Sequence, residues 1–331
     1  MTADITASAR ALHRDALVCD TTLPWTDYGR ADLRERTLPR MAENGLDFVS
    51  LTLGSDSEPM TEVIRSLARE RRHFLTQPER FCLIERAEDI VTAKREGRLA
   101  ISFNLQGTNA LEGDLNMVEV LYKLGVRHML LAYNHRNRVG DGCHEPGDCG
   151  LSLFGRELVQ EMNRVGMIVD CSHTGHRTSM EAIQLSSAPV IFSHSNPRAL
   201  WQHDRNITDD LARASAATGG IVGVVGVGIF MGENDSATAT LLRQIDYYAE
   251  LIGTEHIALG LDFVYDVDEM QRYMANVKSP ASGNYDKMTA FFQPEQLPEL
   301  TEAMLVGGYA ESAVRGILGE NFLRVARAVW R

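Results

Sequence analysis

Three polar clusters close apolar runs in this 331-residue chain: Ser172-His173 follows MIVDC, Ser193-His194 follows PVIF, and Asp262 follows IALGL. Imidazole nitrogens at such positions suit a transition-metal ion, and a carboxylate beside them can take a proton from a metal-bound water or from a substrate. Two further runs close on groups that touch substrates in many enzymes, Gln106 after LAISFNL and Tyr133-Asn134 at the end of HMLLAY. A lone histidine after a strand is usually a hydrogen-bonded structural residue. Two on adjacent strands, with an aspartate on the last, make a shared site the better account.

The elements that must position these groups repeat regularly. Eight strand-type runs span 16–20, 47–53, 99–105, 128–133, 167–172, 189–194, 220–227 and 257–263. They are continuously apolar rather than alternating, as expected of parallel strands covered on both faces. Amphipathic stretches such as FGRELVQEMNRVG and TATLLRQIDYYAELIG lie between them and end in Gly, which takes the left-handed position after a helix without steric cost. Eight strand-helix repeats without a Gly-x-Gly-x-x-Gly turn predict a closed (β/α)8 TIM barrel of the α/β class rather than an open dinucleotide-binding sheet. The expectation is a single domain over 1–331. It carries an extra helical segment after strand 2, within 54–98, and a helical C-terminal extension after a long loop, within 264–331. In such a barrel the chemistry sits at the C-terminal ends of the strands, where His173, His194 and Asp262 fall.

Composition narrows the partners. With 44% hydrophobic and 24% charged residues the chain can bury enough apolar surface to offset its conformational entropy, which excludes a disordered or fibrous protein. Its 33 Lys and Arg against 45 Asp and Glu give a net charge of -12, the wrong sign for nucleic acid. No apolar run approaches the ~20 residues of a spanning helix, and the start MTADITASAR lacks a signal pattern, so neither a membrane nor export is expected and the protein reads as cytoplasmic. Five cysteines, an odd number, fit free thiols. Cys143 and Cys149 flank a Gly-rich loop without a second pair to complete a zinc knuckle, and Asp141, Cys143, His144 and Glu145 near the rim read either as part of a replacement site or, more simply, as ordinary loop polar residues.

The blocks GLSLFGRELVQEMNRVGMIVDCSHTG, APVIFSHSNPRAL, RNITDD, IALGLDF and GILGENFLRVARAV resemble the membrane dipeptidase (renal dipeptidase) family, peptidase family M19, of the amidohydrolase superfamily. The resemblance runs through nearly the whole chain. It implies a (β/α)8 barrel, commonly a homodimer, that hydrolyses dipeptides with two zinc ions. His173 and His194 match the histidines on the second zinc, Asp262 the acid that handles protons, and Arg205 the arginine that binds the substrate carboxylate.

Other positions depart from the family. Its first strand ends in Asp-Gly-His-x-Asp, whose His and Asp bind the first zinc. Here Thr22 and Pro24 fall there in an ungapped register, while alignment on Leu23-Pro24-Trp25 puts Asp20 and Thr22 there. The bridging Glu becomes Gln106, and the substrate-contacting His of the fourth strand becomes Tyr133. The reading that follows is a dipeptidase-like hydrolase of a dipeptide or related small amide, with weak ordinary dipeptidase turnover. Its catalytic groups are Asp262, His173 and His194. Arg205, Tyr133 and Gln106 bind substrate, and His173 and His194 hold at most one divalent ion, zinc if any. Two alternatives stay open: a metal-independent acid-base enzyme on a small carboxylate, and a non-catalytic binding protein on the same barrel.

Overall fold

The computed structural model describes residues 5–25, 31–268, 270, 272 and 289–331. Nine parallel strands run in chain order: β1 (Cys19–Pro24), β2 (Phe48–Ser55), β3 (Phe81–Leu83), β4 (Leu99–Gln106), β5 (Val126–Leu130), β6 (Ile168–Asp170), β7 (Val190–Ile191), β8 (Val222–Val224) and β9 (Ile257–Leu259). The main sheet is ordered β1-β2-β4-β5-β6-β7, and β8 pairs β9. A bridge between Phe192 and Val222 joins β7 to β8. The seam from β9 back to β1 is made largely by side chains. Thr21 Oγ1 donates to Leu259 O at 3.0 Å, Asp20 Oδ1 accepts from Leu261 N at 2.9 Å, and Asp262 N donates to Thr22 O at 3.2 Å. Eight strands thus close a (β/α)8 barrel, each on one of the apolar runs of the sequence.

The ninth strand goes beyond the sequence expectation. Between helices Met60–Leu75 and Glu88–Arg95, β3 pairs Phe81 with Leu99 at the start of β4. β5 pairs β4 only from Phe103 onward. The tripeptide Phe-Cys-Leu therefore fills an edge that β5 leaves bare. The C-terminal extension is helical over Leu297–Val306, Glu311–Arg315 and Asn321–Val329, and part of the long loop expected before it lies outside the described residues. Its last helix covers the starts of the strands, with Phe322 stacked on Phe48 at 5.0 Å between ring centres. An apolar cluster therefore closes the N-terminal end of the barrel, while Ser172-His173, Ser193-His194 and Asp262 stand at the other ends of their strands.

Local signals fix where the helices stop and the strands aim. Ser152 Oγ accepts from Gly155 N at 2.9 Å at the start of helix Leu153–Val165, and Gly166 ends that helix at φ 90°, turning the chain straight into β6. Inside the barrel a buried polar layer lies beneath the mouth. His128 Nδ1 meets Asp170 Oδ2 at 3.2 Å, while its Nε2 lies 3.1 Å from both Ser50 Oγ and Thr21 O. Burial pushes the Asp170 carboxyl up, but the hydrogen bond and charge of His128 outweigh it and hold the group at about 2.

The Ser193 carbonyl crowds the closing strands. A Cβ on Gly260 would sit 1.8 Å from Ser193 O, and one on Gly223 would sit 2.0 Å from it. Neither neighbour is a flexible side-chain tip, so relief requires backbone movement. Replacing Gly260 by Ala should therefore destabilise the fold by about 3 kcal/mol or more, at or beyond the upper end of ordinary overpacking, measured by urea unfolding. An unchanged midpoint would show that the barrel seam gives more easily than this contact implies.

Candidate active site

β6 and β7 deliver the two histidines to one place. His173 Nε2 lies 2.9 Å from His194 Nε2, and the rings meet edge to face at 5.0 Å. The outer nitrogens are also engaged. His173 Nδ1 contacts Asn134 Oδ1 at 2.7 Å, and His194 Nδ1 contacts Ser193 Oγ at 2.7 Å and Thr22 Oγ1 at 3.2 Å. Tyr133 stacks on His173 with ring centres 4.2 Å apart. Burial, reinforced by the Arg205 charge, drives the His194 pKa down to about 3 and that of His173 well below its ordinary value, so both rings are neutral at physiological pH.

Arg205 reaches in from the loop after β7 and is 2% exposed. Its Nη2 donates to the His194 carbonyl at 3.2 Å, while Nε and Nη1 are buried without a partner. A guanidinium left so incompletely satisfied in a dry site is expensive unless an anion completes it. Arg205 and His173 line a cavity of about 280 Å³, together with Cys143, Arg198, Asp204 and Asn206.

Two carboxyls flank the barrel seam. Burial lifts Asp262 to about 6 against the opposing pull of Arg205. Burial also lifts Asp20 to about 7, with the backbone donors Thr22 and Leu261 lowering it and the Asp262 charge raising it. Asp20 Oδ2 is buried without a partner. Asp262 connects to the histidines through Thr22, whose carbonyl accepts from Asp262 N and whose hydroxyl meets His194. Gln106 is buried in the wall, donating from Nε2 to Thr52 Oγ1 at 3.4 Å.

The backbone is held in unusual shapes here. Asn134, His173 and Asp262 have φ of 63°, 62° and 54°, a region that non-glycine residues seldom occupy and that recurs at functional sites. Asp56 braces this arrangement. Its Oδ1 accepts from Thr108 N at 2.8 Å and Asn109 N at 2.9 Å, and its Oδ2 accepts from Tyr133 N and Asn137 Nδ2, each at 2.9 Å. Sequence reasoning assigns no role to Asp56, and reaches Asp20 only as a first-zinc position in one of two registers. Asn134 at the close of an apolar run is the one signal that points here.

The profile of the family described as membrane dipeptidase, peptidase family M19, matches residues 7–331. The chain belongs to this family. Among family relatives, a Schizosaccharomyces pombe protein described as an uncharacterized dipeptidase is 34% identical over 223 residues, 64% of this chain and 54% of its own length. The dipeptidase tcpJ of Claviceps purpurea is 30% identical over 256 residues, 76% of this chain and 56% of its own. The chain therefore spans about half the length of these curated relatives. Among solved structures, an amidohydrolase from Pseudomonas aeruginosa is 31% identical, with a TM-score of 0.86 over 97% of this chain and 99% of that one. A Rhodobacter sphaeroides metallo peptidase liganded with a phosphinate mimic of L-Ala-D-Ala shares the fold, with 21% identity and a TM-score of 0.78 over 95% of this chain and 99% of that one.

Among the described residues, the donors at these positions do not make up the paired-metal centre that the resemblance implies. His173 and His194 point their ε nitrogens at one another, Thr22 offers a hydroxyl, and the Gln106 amide is turned to Thr52. Among the described residues no group of three or more His, Cys, Asp or Glu side chains is arranged to hold an ion. Two cations need shared negative charge between them, and a neutral amide supplies none.

Proposed function

We propose that this member of the membrane dipeptidase family is a hydrolase of a dipeptide or related small amide bearing a carboxylate, with the family's two-metal centre reduced to one ion or none. The observation that carries this reading is the buried Arg205, which lines a cavity together with His173 and leaves two of its guanidinium nitrogens without a partner. A planar guanidinium offers a carboxylate two parallel donors, which fixes orientation as well as charge. Asp262, lifted toward neutrality, is suited to exchange a proton with the substrate or with an attacking water. Tyr133 and Gln106 would line the substrate's path.

A metal-independent acid-base reaction on a small carboxylate is the second reading. It is favoured by one observation, that Thr22 and Gln106 offer a hydroxyl and an amide where the resemblance implies an anionic or imidazole ligand.

Metal analysis of protein purified without chelator, followed by a screen of L,L- and L,D-dipeptides with added zinc, cobalt or manganese, tests the proposal. At most one equivalent of metal per chain is expected, with slow hydrolysis that added metal does not raise to robust rates. Two ordered ions about 3.5 to 4 Å apart, or vigorous zinc-dependent turnover, would refute the reduced site. Ligand binding without turnover of any amide would favour the binding-protein alternative.

A further inference from the structure

Asn206 follows Arg205 in the chain, is 3% exposed, and lines the same cavity. Its Nδ2 donates to Trp201 O at 2.9 Å and to Phe230 O at 2.8 Å. Backbone carbonyls only accept, so the atom that meets both is the nitrogen, and the orientation of the carboxamide is fixed. Both amide protons are committed to these contacts. What remains to Asn206 is Oδ1, which is buried without a partner. Stapling the loop after β7 to the short helix Gly228–Met231 accounts for the nitrogen. It leaves the oxygen unexplained, and a buried acceptor kept from every donor is costly unless a ligand completes it.

Arg205 has the opposite deficit. Its Nε and Nη1 are donors without an acceptor, and its Cζ lies 5.3 Å from the ring centre of Phe230, the residue whose carbonyl holds Asn206. One cavity wall thus offers bare donors on a cation and, from the next residue, a bare acceptor. An N-acyl α-amino acid is the complement of that pair, because its carboxylate and its amide N–H leave the same carbon. We infer that Asn206 is a substrate-positioning residue whose Oδ1 accepts a hydrogen bond from the amide N–H on the carbon that bears the Arg205-bound carboxylate. The inference rests on the hydrolase reading above, which puts the carboxylate on Arg205, and it adds a substrate class: secondary amides of α-amino acids with a free carboxylate. Esters, N-alkylated amides and peptides ending in proline carry no hydrogen at this position and leave Oδ1 bare. A site built to hydrogen-bond an N–H rejects the analogue lacking it more sharply than an apolar pocket rejects by size.

Binding to the full-length protein, followed by calorimetry, tests the inference. The probes are N-acetyl-alanine and its ester counterpart O-acetyl-lactate, each in both configurations. The wild type should bind the better enantiomer of the amide about tenfold or more tightly than the matching ester, the effect of leaving a buried acceptor unpaired. Asn206→Ala should erase that preference. Asn206→Asp should weaken both probes, through its charge beside Arg205, yet keep their ratio. Both variants lose the donors to Trp201 and Phe230, so a purely structural role would move them alike, whereas only Ala loses the acceptor. Equal binding of amide and ester by the wild type, or a preference that survives in Asn206→Ala, would overturn the inference and leave Arg205 as the carboxylate site. No binding of either probe, or binding that Arg205→Ala leaves unchanged, would remove the carboxylate from Arg205 and this inference with it. The wild-type comparison can refute the inference even if a variant fails to fold.

Discussion

Arg205→Ala should weaken binding of a carboxylate-bearing dipeptide by roughly two to three orders of magnitude, read as a rise in KM or in the Kd from calorimetry. The size follows from truncating one partner of a buried, hydrogen-bonded charge pair, which costs about 2 to 5 kcal/mol. Lys at this position should rescue little, because an ammonium is a point charge and cannot match both carboxylate oxygens in one plane. The free protein should not suffer: Arg205 is a buried cation with two unpartnered nitrogens, so removing it also removes a desolvation cost. A change in affinity below about threefold would show that the carboxylate does not sit on Arg205, because even the lower bound of that range is about thirtyfold.

Asp262→Asn should lower turnover by about two to four orders of magnitude, the usual span for a positioned proton-transfer group, with binding almost unaltered. If Asp262 acts as a base, kcat/KM of the wild type should rise through about pH 6, where burial has placed this carboxyl. Arg205 pulls that value down, so Arg205→Ala should carry the rising limb to higher pH. Stability should follow the opposite course. A carboxyl raised on folding keeps its proton more firmly in the native than in the unfolded chain, so native stability declines as pH climbs from the ordinary aspartate value of about 4 toward 6. Asp20, lifted to about 7, acts in the same direction. The Asp262→Asn variant loses one source of that decline, so it should unfold no more easily than wild type at neutral pH. Full activity in this variant would remove Asp262 from the proton chemistry.

The barrel was legible because its strands are buried on both faces and read as apolar runs, and two of the residues closing those runs, His173 and His194, meet at one end of the barrel. β3 was not legible. Three residues set between two amphipathic helices have no period of their own, and Phe81–Leu83 is a strand only because β4 begins before β5 can cover it. At the mouth, residue types were readable while partners were not. That Thr22 lacks a carboxylate is plain in the sequence. That its hydroxyl meets His194 depends on a register shift in β1 between Asp20 and Leu23, against β2. The role of Asp56 was hidden for a related reason: its four carboxylate contacts come from residues 108, 109, 133 and 137, which only the closed barrel brings together.

The side-chain seam between β9 and β1 has a consequence for the order in which the molecule assembles. Thr21 and Asp20 bond to Leu259 and Leu261 across 238 and 241 positions of sequence, nearly three quarters of the 331-residue chain. Contacts so distant are closed late, since the loop entropy must be spent before they return anything. Thr22, which meets His194, and Asp262, which bonds back to Thr22, belong to that last closure. Until that closure, the Thr22 hydroxyl that meets His194 and the Asp262 backbone that bonds to Thr22 have not yet been tied together. The mouth is therefore completed only when the final strand arrives, and the same late segment of chain brings the helix that puts Phe322 on Phe48 at the opposite end of the barrel.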